Sequence, residues 1–322
     1  MSKNLDYTGK LDCSSIYKAI LSSKSLNSYK SYMSSFNQWK KFALINDIEV
    51  FPVNKVEFSI FLIDWVDKGG SWSSLNGSIS AVKFFMDLFS FDFQIPKSNH
   101  IELYLKKNCK KISNKKRPLL KSEVDKILNS HFENRLSLKI CRDLCLILFG
   151  FYGFLRYDDM SQLKLVDIEL INDVINIHVA NAKNDRYRTG QNLKIKCSKD
   201  WLIIFKTFLA LTEKCFSKFE NDVVFLFPSM SKDGRMFPTK KISYRDARMS
   251  ILSLCKAGGI DIDRVGTHSL RIGGCTEASR RGIPNYVLEG HGRWSYNSRS
   301  RAMYQRVEDQ EFLWVSEVLM ND

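Results

Sequence analysis

The chain has 322 residues and a formal net charge of +14 at pH 7, with 44% apolar and 26% charged side chains. This length and balance are typical of a soluble globular protein with room for two domains. Uninterrupted apolar runs of ~18 residues and a signal-peptide pattern are both missing from the sequence, so we expect no membrane span and no secretion. The positive excess favours a polyanionic partner, with a merely basic surface as the alternative.

The eight cysteines are dispersed along the chain, and none forms a Cys-x-x-Cys pair. Zinc ribbons and disulfide scaffolds rely on closely or regularly spaced cysteines, so this spacing argues against both kinds of protein. We therefore expect reduced thiols. Nuclear localisation is expected if the host is eukaryotic, and cytoplasmic localisation otherwise.

Residues 1–105 are predicted to form a helical first domain. Apolar side chains recur there at steps of three and four residues, which is typical of amphipathic helices. The expected helices cover residues 15–42, 54–67, 71–88 and 98–107. Ser25 is a predicted helix start within the first of them, and either Ser71 or Ser73 can cap the third. The aromatic side chains are interpreted as core rather than as base-stacking groups.

A basic run, KKNCKKISNKKRPLLK, follows at residues 106–121 and contains no acidic side chain. A run of one charge resists compaction and is typical of a linker, and Pro118 favours a new unit after it. We place a basic linker at 106–118. It fits a contact to a DNA backbone, a solvated tether or a nuclear import signal. The candidate DNA-binding residues are Lys106, Lys107, Lys110, Lys111, Lys115, Lys116 and Arg117.

A second domain is predicted from Leu119, and the expected fold class of the whole chain is mainly α (α+β). Ser122 is the expected cap of its first helix. Residues 174–197 alternate in β fashion around a polar turn and predict an antiparallel hairpin. A short strand or extended segment is expected at 223–227, followed by a loop. The other expected helices cover residues 137–152, 201–217, 243–257, 268–281, 284–290, 298–306 and 309–320.

Residues 265–306 concentrate side chains suited to a phosphodiester: cations beside a hydroxyl that could attack it. They include His268, Arg271, His291, Trp294 and Tyr304. Most of the other arginines of this stretch are interpreted as DNA-backbone contacts or surface charge.

Arg156 follows a strongly apolar helix, where an unpaired arginine is costly. It is therefore either an ion pair with Asp158 or Asp159, or a residue kept for a ligand. Lys183 lies where the first strand of the predicted hairpin meets its turn, a place that also suits a solvated lysine. His268 could equally be a helix cap.

The second domain resembles the catalytic domain of the tyrosine recombinases, the phage integrase type. The resemblance rests on five motifs in order: RPLLKSEVDKIL, GFYGFLRYDDMSQLKLVDIEL, THSLRIGGCTEASRRGIP, GHGRWS and the pair Met303-Tyr304. The sequence GTHSLR…RRGIP…GHGRW is especially similar to recombinases of DIRS and crypton mobile elements of eukaryotes. The helical domain before the linker is similar to the family's core-binding domain at the level of pattern only.

The resemblance assigns roles residue by residue. It implies a site made of the nucleophile Tyr304, the arginines Arg156 and Arg271, the histidine His268, the hairpin lysine Lys183, the acidic Asp159 and, at the His/Trp position, Trp294 with His291 as the alternative. The sequence departs from the family in having Asp159 where glutamate is frequent. The segment between Trp294 and Tyr304 is also a residue longer than usual, and Tyr296 is the weaker alternative nucleophile.

The implied function is that of a site-specific DNA recombinase or integrase. It would cleave and rejoin strands through a 3′-phosphotyrosyl intermediate, without metal, cofactor or ATP, to integrate or excise a mobile element. The implied partner is double-stranded DNA with a specific site. The protein is expected to form a homotetramer (dimer of dimers) on that DNA and to be a monomer or weak oligomer when free. No membrane partner is expected.

Three other functions remain open at this stage. The same chemistry could relax DNA, as in a type IB topoisomerase. The chain could be a non-catalytic DNA-binding protein derived from a mobile element, although such a binder has no need of a complete set of reactive residues. A metal-dependent nuclease would need clustered carboxylates, and Asp158-Asp159 has no obvious partners.

The catalytic domain is expected at 119–308 and a tail helix at 309–322. The tail helix is expected to pack on a neighbouring subunit or, alternatively, within its own subunit.

Overall fold

A computed structural model describes residues 25–93, 99–109, 115–132, 136–180, 190–216, 223–231 and 233–294. The chain divides into two compact units, Met1–Ser113 and Asn114–Asp322. The expected fold class is confirmed: helices predominate, and the strands form small antiparallel sheets. None of the helices in the described ranges is both long and apolar enough to cross a membrane.

The elements of the first unit, within its described part, are helices joined by short turns and loops. Its helices are α1 (Leu26–Ile45), α2 (Lys55–Asp67), α3 (Trp72–Leu88) and α4 (Asn99–Asn108). Side-chain oxygens of Ser25, Asn54 and Ser71 accept hydrogen bonds from backbone N–H groups in the first turns of α1, α2 and α3. Ser71, rather than Ser73, therefore caps α3. The part of the first predicted helix before Ser25 lies outside the described residues.

Aromatic side chains form the centre of this unit, as predicted. Trp39 is fully buried, and its ring meets Phe58 and Phe61 edge-on at centroid distances of 5.5 and 5.8 Å. Its indole N–H donates to the carbonyl of Val50 at 3.0 Å. Offset and edge-on rings pack well in a core, and the indole donor is satisfied there.

The second unit contains more elements, and helices still predominate. In chain order they are α5 (Lys121–Phe132), α6 (Leu138–Phe151), α7 (Tyr157–Gln162), a 3-10 turn (Leu165–Asp167), β1 (Ile168–Ile171), β2 (Val174–Val179), β3 (Gln191–Lys196), α8 (Lys199–Phe216), β4 (Pro228–Met230), β5 (Met236–Lys241), α9 (Tyr244–Ala257), α10 (Thr267–Arg280) and α11 (Asn285–Gly292). The helices expected at 298–306 and 309–320 lie outside the described residues.

The predicted hairpin is present as β2 and β3, which pair antiparallel with Ile177 opposite Leu193. Its alternate side chains Ile175, Ile177 and Val179 are buried against the core. A strand that the sequence did not predict, β1, pairs with the outer edge of β2. The turn of the hairpin, residues 181–189, lies outside the described residues.

One local prediction was right only in part, and another was wrong. Within the strand or extended segment expected at 223–227, Phe225 forms an isolated bridge to Lys164. The regular strand β4 begins further on, at Pro228, and pairs antiparallel with β5 in a stretch predicted as loop. Helix α5 begins at Lys121, so Ser122 lies inside it and is not its cap. The carboxylate of Glu123, in the first turn, accepts the N–H of Leu120 at 2.8 Å and also pairs with Arg117 at 2.9 Å, so it stabilises the start of α5.

Helix α6 is the central element of the second unit, since every residue from Cys141 to Phe151 is buried. Arg142 and Asp143 are buried with the apolar side chains and pair at 2.6 Å. Arg142 also donates to the carbonyl of Pro228 at 3.0 Å, which ties α6 to β4. Asp143 keeps a second partner, Lys139, at 2.8 Å.

We expect Arg142→Met to lower the free energy of unfolding by about 3 kcal/mol, because a buried carboxylate then loses its closest cation. Methionine preserves most of the side-chain volume, so packing changes little. Urea unfolding followed by circular dichroism measures the loss. The control is Arg264→Met, which breaks an exposed pair with Asp263 and should cost less than about 1 kcal/mol. Equal losses in the two variants would contradict the prediction.

Candidate active site

Arg156 lies at the junction between α6 and α7. Its backbone N–H donates to the carboxylate of Asp159 at 3.1 Å, so the acidic residue fixes the start of α7. The Arg156 guanidinium Nη1 lies 3.9 Å from the same oxygen, Oδ2. The side chain of Arg156 is 11% exposed and that of Asp159 only 1%. Among the described residues, Nη1 of Arg156 has no hydrogen-bond partner.

Arg271 is fully buried on α10. Its Nη2 donates to the carbonyl of Gly292 at 2.5 Å, and its Nη1 donates to the carbonyl of Phe154. Its guanidinium also lies over the ring of Trp294, 4.1 Å from the centroid. Arg271 therefore joins the segment that carries Arg156 to the end of α11, and carbonyl oxygens orient its charge without neutralising it.

Two glycines after Arg271 let α10 approach its neighbours closely. A Cβ at Gly273 would lie 1.9 Å from the carbonyl oxygen of Leu119, and one at Gly274 would lie 2.0 Å from that of Phe151. A side chain at Gly273 would push α10 away from the segment before α5, and one at Gly274 would push it away from α6. The Gly-Gly pair of the SLRIGG sequence thus sets the distance from Arg271 to the Phe154 carbonyl.

The two candidates for the His/Trp position have different surroundings. Trp294 is 6% exposed and packs between Arg271 and Phe154. His291 lies 2.7 Å, through Nε2, from the carbonyl of Tyr152 and meets the ring of Phe154 edge-on. Because a carbonyl can only accept, Nε2 of His291 is the protonated nitrogen. Burial lowers the pKa of His291, and the charges of Arg293 and Arg271 act in the same direction.

His268 lies in the first turn of α10, one turn before Arg271, and is exposed to solvent. Residues three apart share one face of a helix, so the imidazole projects from the side of α10 that carries Arg271. The helix begins at Thr267, after Gly266, so His268 lies inside the helix and is not its N-cap.

Arg293 is the site residue that the sequence reasoning missed. It was interpreted as a surface or DNA-backbone arginine, but it is 5% exposed and its Nη2 lies 2.9 Å from Oδ2 of Asp159. Burial lowers the pKa of Arg293, Asp159 raises it, and the charge of Arg156 lowers it again. A sequence signal did exist, since Arg293 stands next to Trp294 in the GHGRWS motif.

The remaining predicted site residues are distributed as follows. The nucleophile Tyr304, its alternative Tyr296 and the hairpin lysine Lys183 lie outside the described residues, as do Lys110 and Lys111 of the linker. Lys107 and Lys115 are exposed, and Lys116 is half-buried.

Two of the candidate DNA-binding residues have protein partners. Lys106 pairs with Glu102 and lies 5.5 Å from the ring centroid of Trp72. Arg117 donates to both carboxylate oxygens of Glu123 at 2.9 Å and is half-buried. These contacts fix Arg117 at the start of the second unit, where it also stabilises the beginning of α5.

Comparison with known proteins gives both a family and a fold. Residues 117–311 match the phage integrase family. No curated protein sequence matches the chain. The structure is similar to the XerH site-specific recombinase bound to palindromic difH substrate in a post-cleavage complex, with a TM-score of 0.67 and 15% identity over 96% of this chain and 85% of that one.

Two further structures show the same fold. The Tn1549 transposon integrase in complex with transposon right end DNA gives a TM-score of 0.55 and 15% identity, over 84% of this chain and 87% of that one. A lambda integrase dimer bound to a core site gives 0.50 and 16% identity, over 92% and 97%. The family match covers more than half of the chain and includes Arg156, Arg271, Trp294 and Tyr304. The chain therefore belongs to the phage integrase family and is a tyrosine recombinase.

Proposed function

We propose that this tyrosine recombinase is a site-specific DNA recombinase or integrase that needs neither metal nor ATP and serves the integration or excision of a mobile element. The observation that carries the proposal is the convergence of three arginine side chains. Arg156 and Arg293 both approach Asp159, and Arg271 donates to the backbone beside each of them, at Phe154 and Gly292. A cluster of this kind suits an anionic group with several oxygens.

The proposed reaction uses these cations at the scissile phosphate. Charge that builds on the non-bridging oxygens in the transition state is stabilised by donors already held in place, here Arg156 and Arg271. The buried ring of Trp294 supports the guanidinium of Arg271 from one side, 4.1 Å away. Fixed guanidinium groups can supply electrostatic stabilisation that other phosphoryl-transfer enzymes obtain from metal ions.

Bond making and breaking balance without an energy source. The phenol oxygen of Tyr304 bonds to phosphorus, and the bond from phosphorus to the 5′ oxygen breaks. His268 accepts the phenol proton, and Lys183 gives a proton to the leaving 5′ oxygen. One phosphodiester replaces another, so the 3′-phosphotyrosyl bond can be reversed by a 5′ hydroxyl from either DNA partner.

The two units take different proposed tasks. Residues 1–105 are proposed as the core-binding domain that grips DNA, 106–118 as the basic linker that follows the backbone, and 119–308 as the catalytic domain. The wording of the motifs favours a DIRS or crypton element as the source. In a eukaryotic host, the basic run would also support nuclear import.

The first test is formation of the covalent intermediate. Because the recognition sequence is unknown, the probe is a library of random duplexes with a nick, which releases a short leaving strand and prevents rejoining. In EDTA without ATP, we expect a protein–DNA adduct that survives denaturation and is lost in Tyr304→Phe but kept in Tyr296→Phe. Failure of the parent protein to form any adduct, or an adduct that persists in Tyr304→Phe, would contradict the proposal. Sequencing the captured strands also supplies a duplex for the experiments below.

The second test separates Trp294 from His291. Trp294→Ala removes the ring from the Arg271 guanidinium, so we expect the rate of cleavage at saturating protein to fall by about 10- to 100-fold. His291→Phe keeps an aromatic ring beside Phe154 and removes only the donor to the Tyr152 carbonyl. We expect that variant to lose less than about tenfold. Single-turnover cleavage of the captured duplex measures both, and the reverse order would favour His291.

We further propose that the active form is a tetramer on DNA, held by the tail, residues 309–322. The tail carries apolar side chains at Phe312, Trp314, Val315 and Leu319. The second unit offers an apolar groove of about 330 Å³, lined by residues that include Phe151, Phe154, Val287 and Leu288. We propose that the tail of a neighbouring subunit occupies this groove.

The third test removes either side of this contact. Truncation after Val307 should leave binding of one subunit to the captured duplex intact and abolish the tetramer, as measured by light scattering of the complexes. Val287→Glu, at a position 43% exposed, should have the same effect. The matched control is Val166→Glu, at a position 88% exposed and away from the groove. Tetramers that survive truncation would contradict the proposal, and plasmid relaxation by the truncated protein would favour topoisomerase-like activity.

A further inference from the structure

Arg293 occupies an unusual place at the end of α11. Its backbone is left-handed, with φ at 54°, a conformation that glycine adopts far more readily than arginine. The residues on both sides of it contact Arg271, through the Gly292 carbonyl and the Trp294 ring. The side chain of Arg293 itself is buried and turns to Asp159. A buried, paired arginine in a backbone conformation that favours glycine indicates that the side chain has a role in the site.

We propose that Arg293 is a positioning residue, which holds the Asp159 carboxylate so that the Arg156 guanidinium stays available for the DNA phosphate. This inference rests on the proposed function. It assigns to Arg293 no contact with DNA, since the effect passes through Asp159.

The distances show which arginine holds the carboxylate. Both guanidinium groups face the same oxygen, Oδ2 of Asp159, but Arg293 lies at 2.9 Å and Arg156 at 3.9 Å. The first distance is a charge-assisted hydrogen bond, whereas the second is too long for a hydrogen bond. Oδ2 also accepts the backbone N–H of Arg156 at 3.1 Å. Asp159 therefore fixes the backbone of Arg156 by a hydrogen bond and reaches its side chain only as a long ion pair, without a hydrogen bond.

The Arg156 side chain is correspondingly left with donor capacity. Its Nη1 is buried and has no hydrogen-bond partner among the described residues. A carboxylate so close to an arginine would ordinarily form a two-pronged pair with it. Without Arg293, a small rotation would bring Asp159 onto Arg156, and the phosphate would then compete with a buried carboxylate for the same donors.

The experiment uses full-length protein and the duplex recovered by covalent capture. Arg293→Gly removes the side chain and suits the left-handed backbone, so loss of charge is separated from strain. We expect cleavage at saturating protein to slow by about 10- to 100-fold, with the Kd for the duplex changed less than about threefold. Arg264→Gly is the matched control, because Arg264 has φ at 53° and pairs with Asp263 at the surface. It should cleave at the parent rate.

The decisive variant combines Arg293→Gly with Asp159→Asn. Asparagine keeps an oxygen for the backbone N–H of Arg156 but no charge to capture its side chain. We expect the double variant to cleave about tenfold faster than Arg293→Gly alone. A purely structural role of Arg293 predicts the opposite, a double variant as slow as the product of the two single losses or slower, and that result would overturn the inference.

Two other outcomes, misfolding of Arg293→Gly and absence of adduct with the parent protein, have separate interpretations. If Arg293→Gly does not fold, as judged by circular dichroism, Arg293→Lys replaces it. Lysine preserves the charge beside Asp159, so we then expect a loss of less than about tenfold, and a loss as large as that of Asp159→Ala would overturn the inference. An absence of adduct with the parent protein would instead overturn the proposed function, so the two failures are distinguishable.

Discussion

The burial of the Arg271 guanidinium is the constraint on which the rest of the site depends. A charged group without water needs acceptors for its N–H donors, and here the main-chain carbonyls of Phe154 and Gly292 accept from its Nη1 and Nη2. Those carbonyls belong to segments more than a hundred residues apart in the chain. Satisfying one side chain therefore brings together the end of α6 and the end of α11. The glycine pair after Arg271 makes this possible, because no other residue lets α10 approach so closely.

Most helices could be predicted from the sequence, since their signals are local. Ser71, Ser137 and Ser243 each cap a helix with an apolar face, and these helices begin within a residue or two of the predicted places. The alternation in residues 174–197 likewise predicted both strands of the hairpin. These signals concern a residue and its near neighbours, so one sequence is enough to read them.

The strands that the sequence did not predict are defined by pairing with other strands, which the local sequence pattern does not reveal. β1 has four residues, is only half-buried on one face and is defined by its pairing with β2. β4 has three residues, begins at Pro228 and exists through its pairing with β5. A short edge strand buries too little apolar surface to leave a period of two in the sequence. The wrong assignment of Ser122 as a cap has a different cause. The helix begins one residue before it, and the carboxylate of Glu123 accepts the N–H of Leu120 at the helix start.

The site shows the same division between what is local and what is not. The sequence motifs identified Arg156, Asp159, Arg271 and Trp294 as site residues. The pattern of apolar and polar residues, however, predicts that any arginine in a polar stretch is exposed. Arg293 is buried where Asp159, 134 residues earlier, offers it a carboxylate. That carboxylate has a short side chain, and its bond to the Arg156 N–H keeps it close to its own helix.

An aspartate held in this way cannot extend far toward α11, so the longer side chain of Arg293 spans the distance. Asp159 stands where glutamate is frequent in the family, and Arg293 stands beside Trp294. The short side chain at 159 and the long side chain at 293 thus depend on each other. Glutamate at 159 would relax the need for an arginine at 293, and a shorter residue at 293 would leave Asp159 to its nearest remaining cation, Arg156. The two positions are therefore expected to tolerate change together rather than singly.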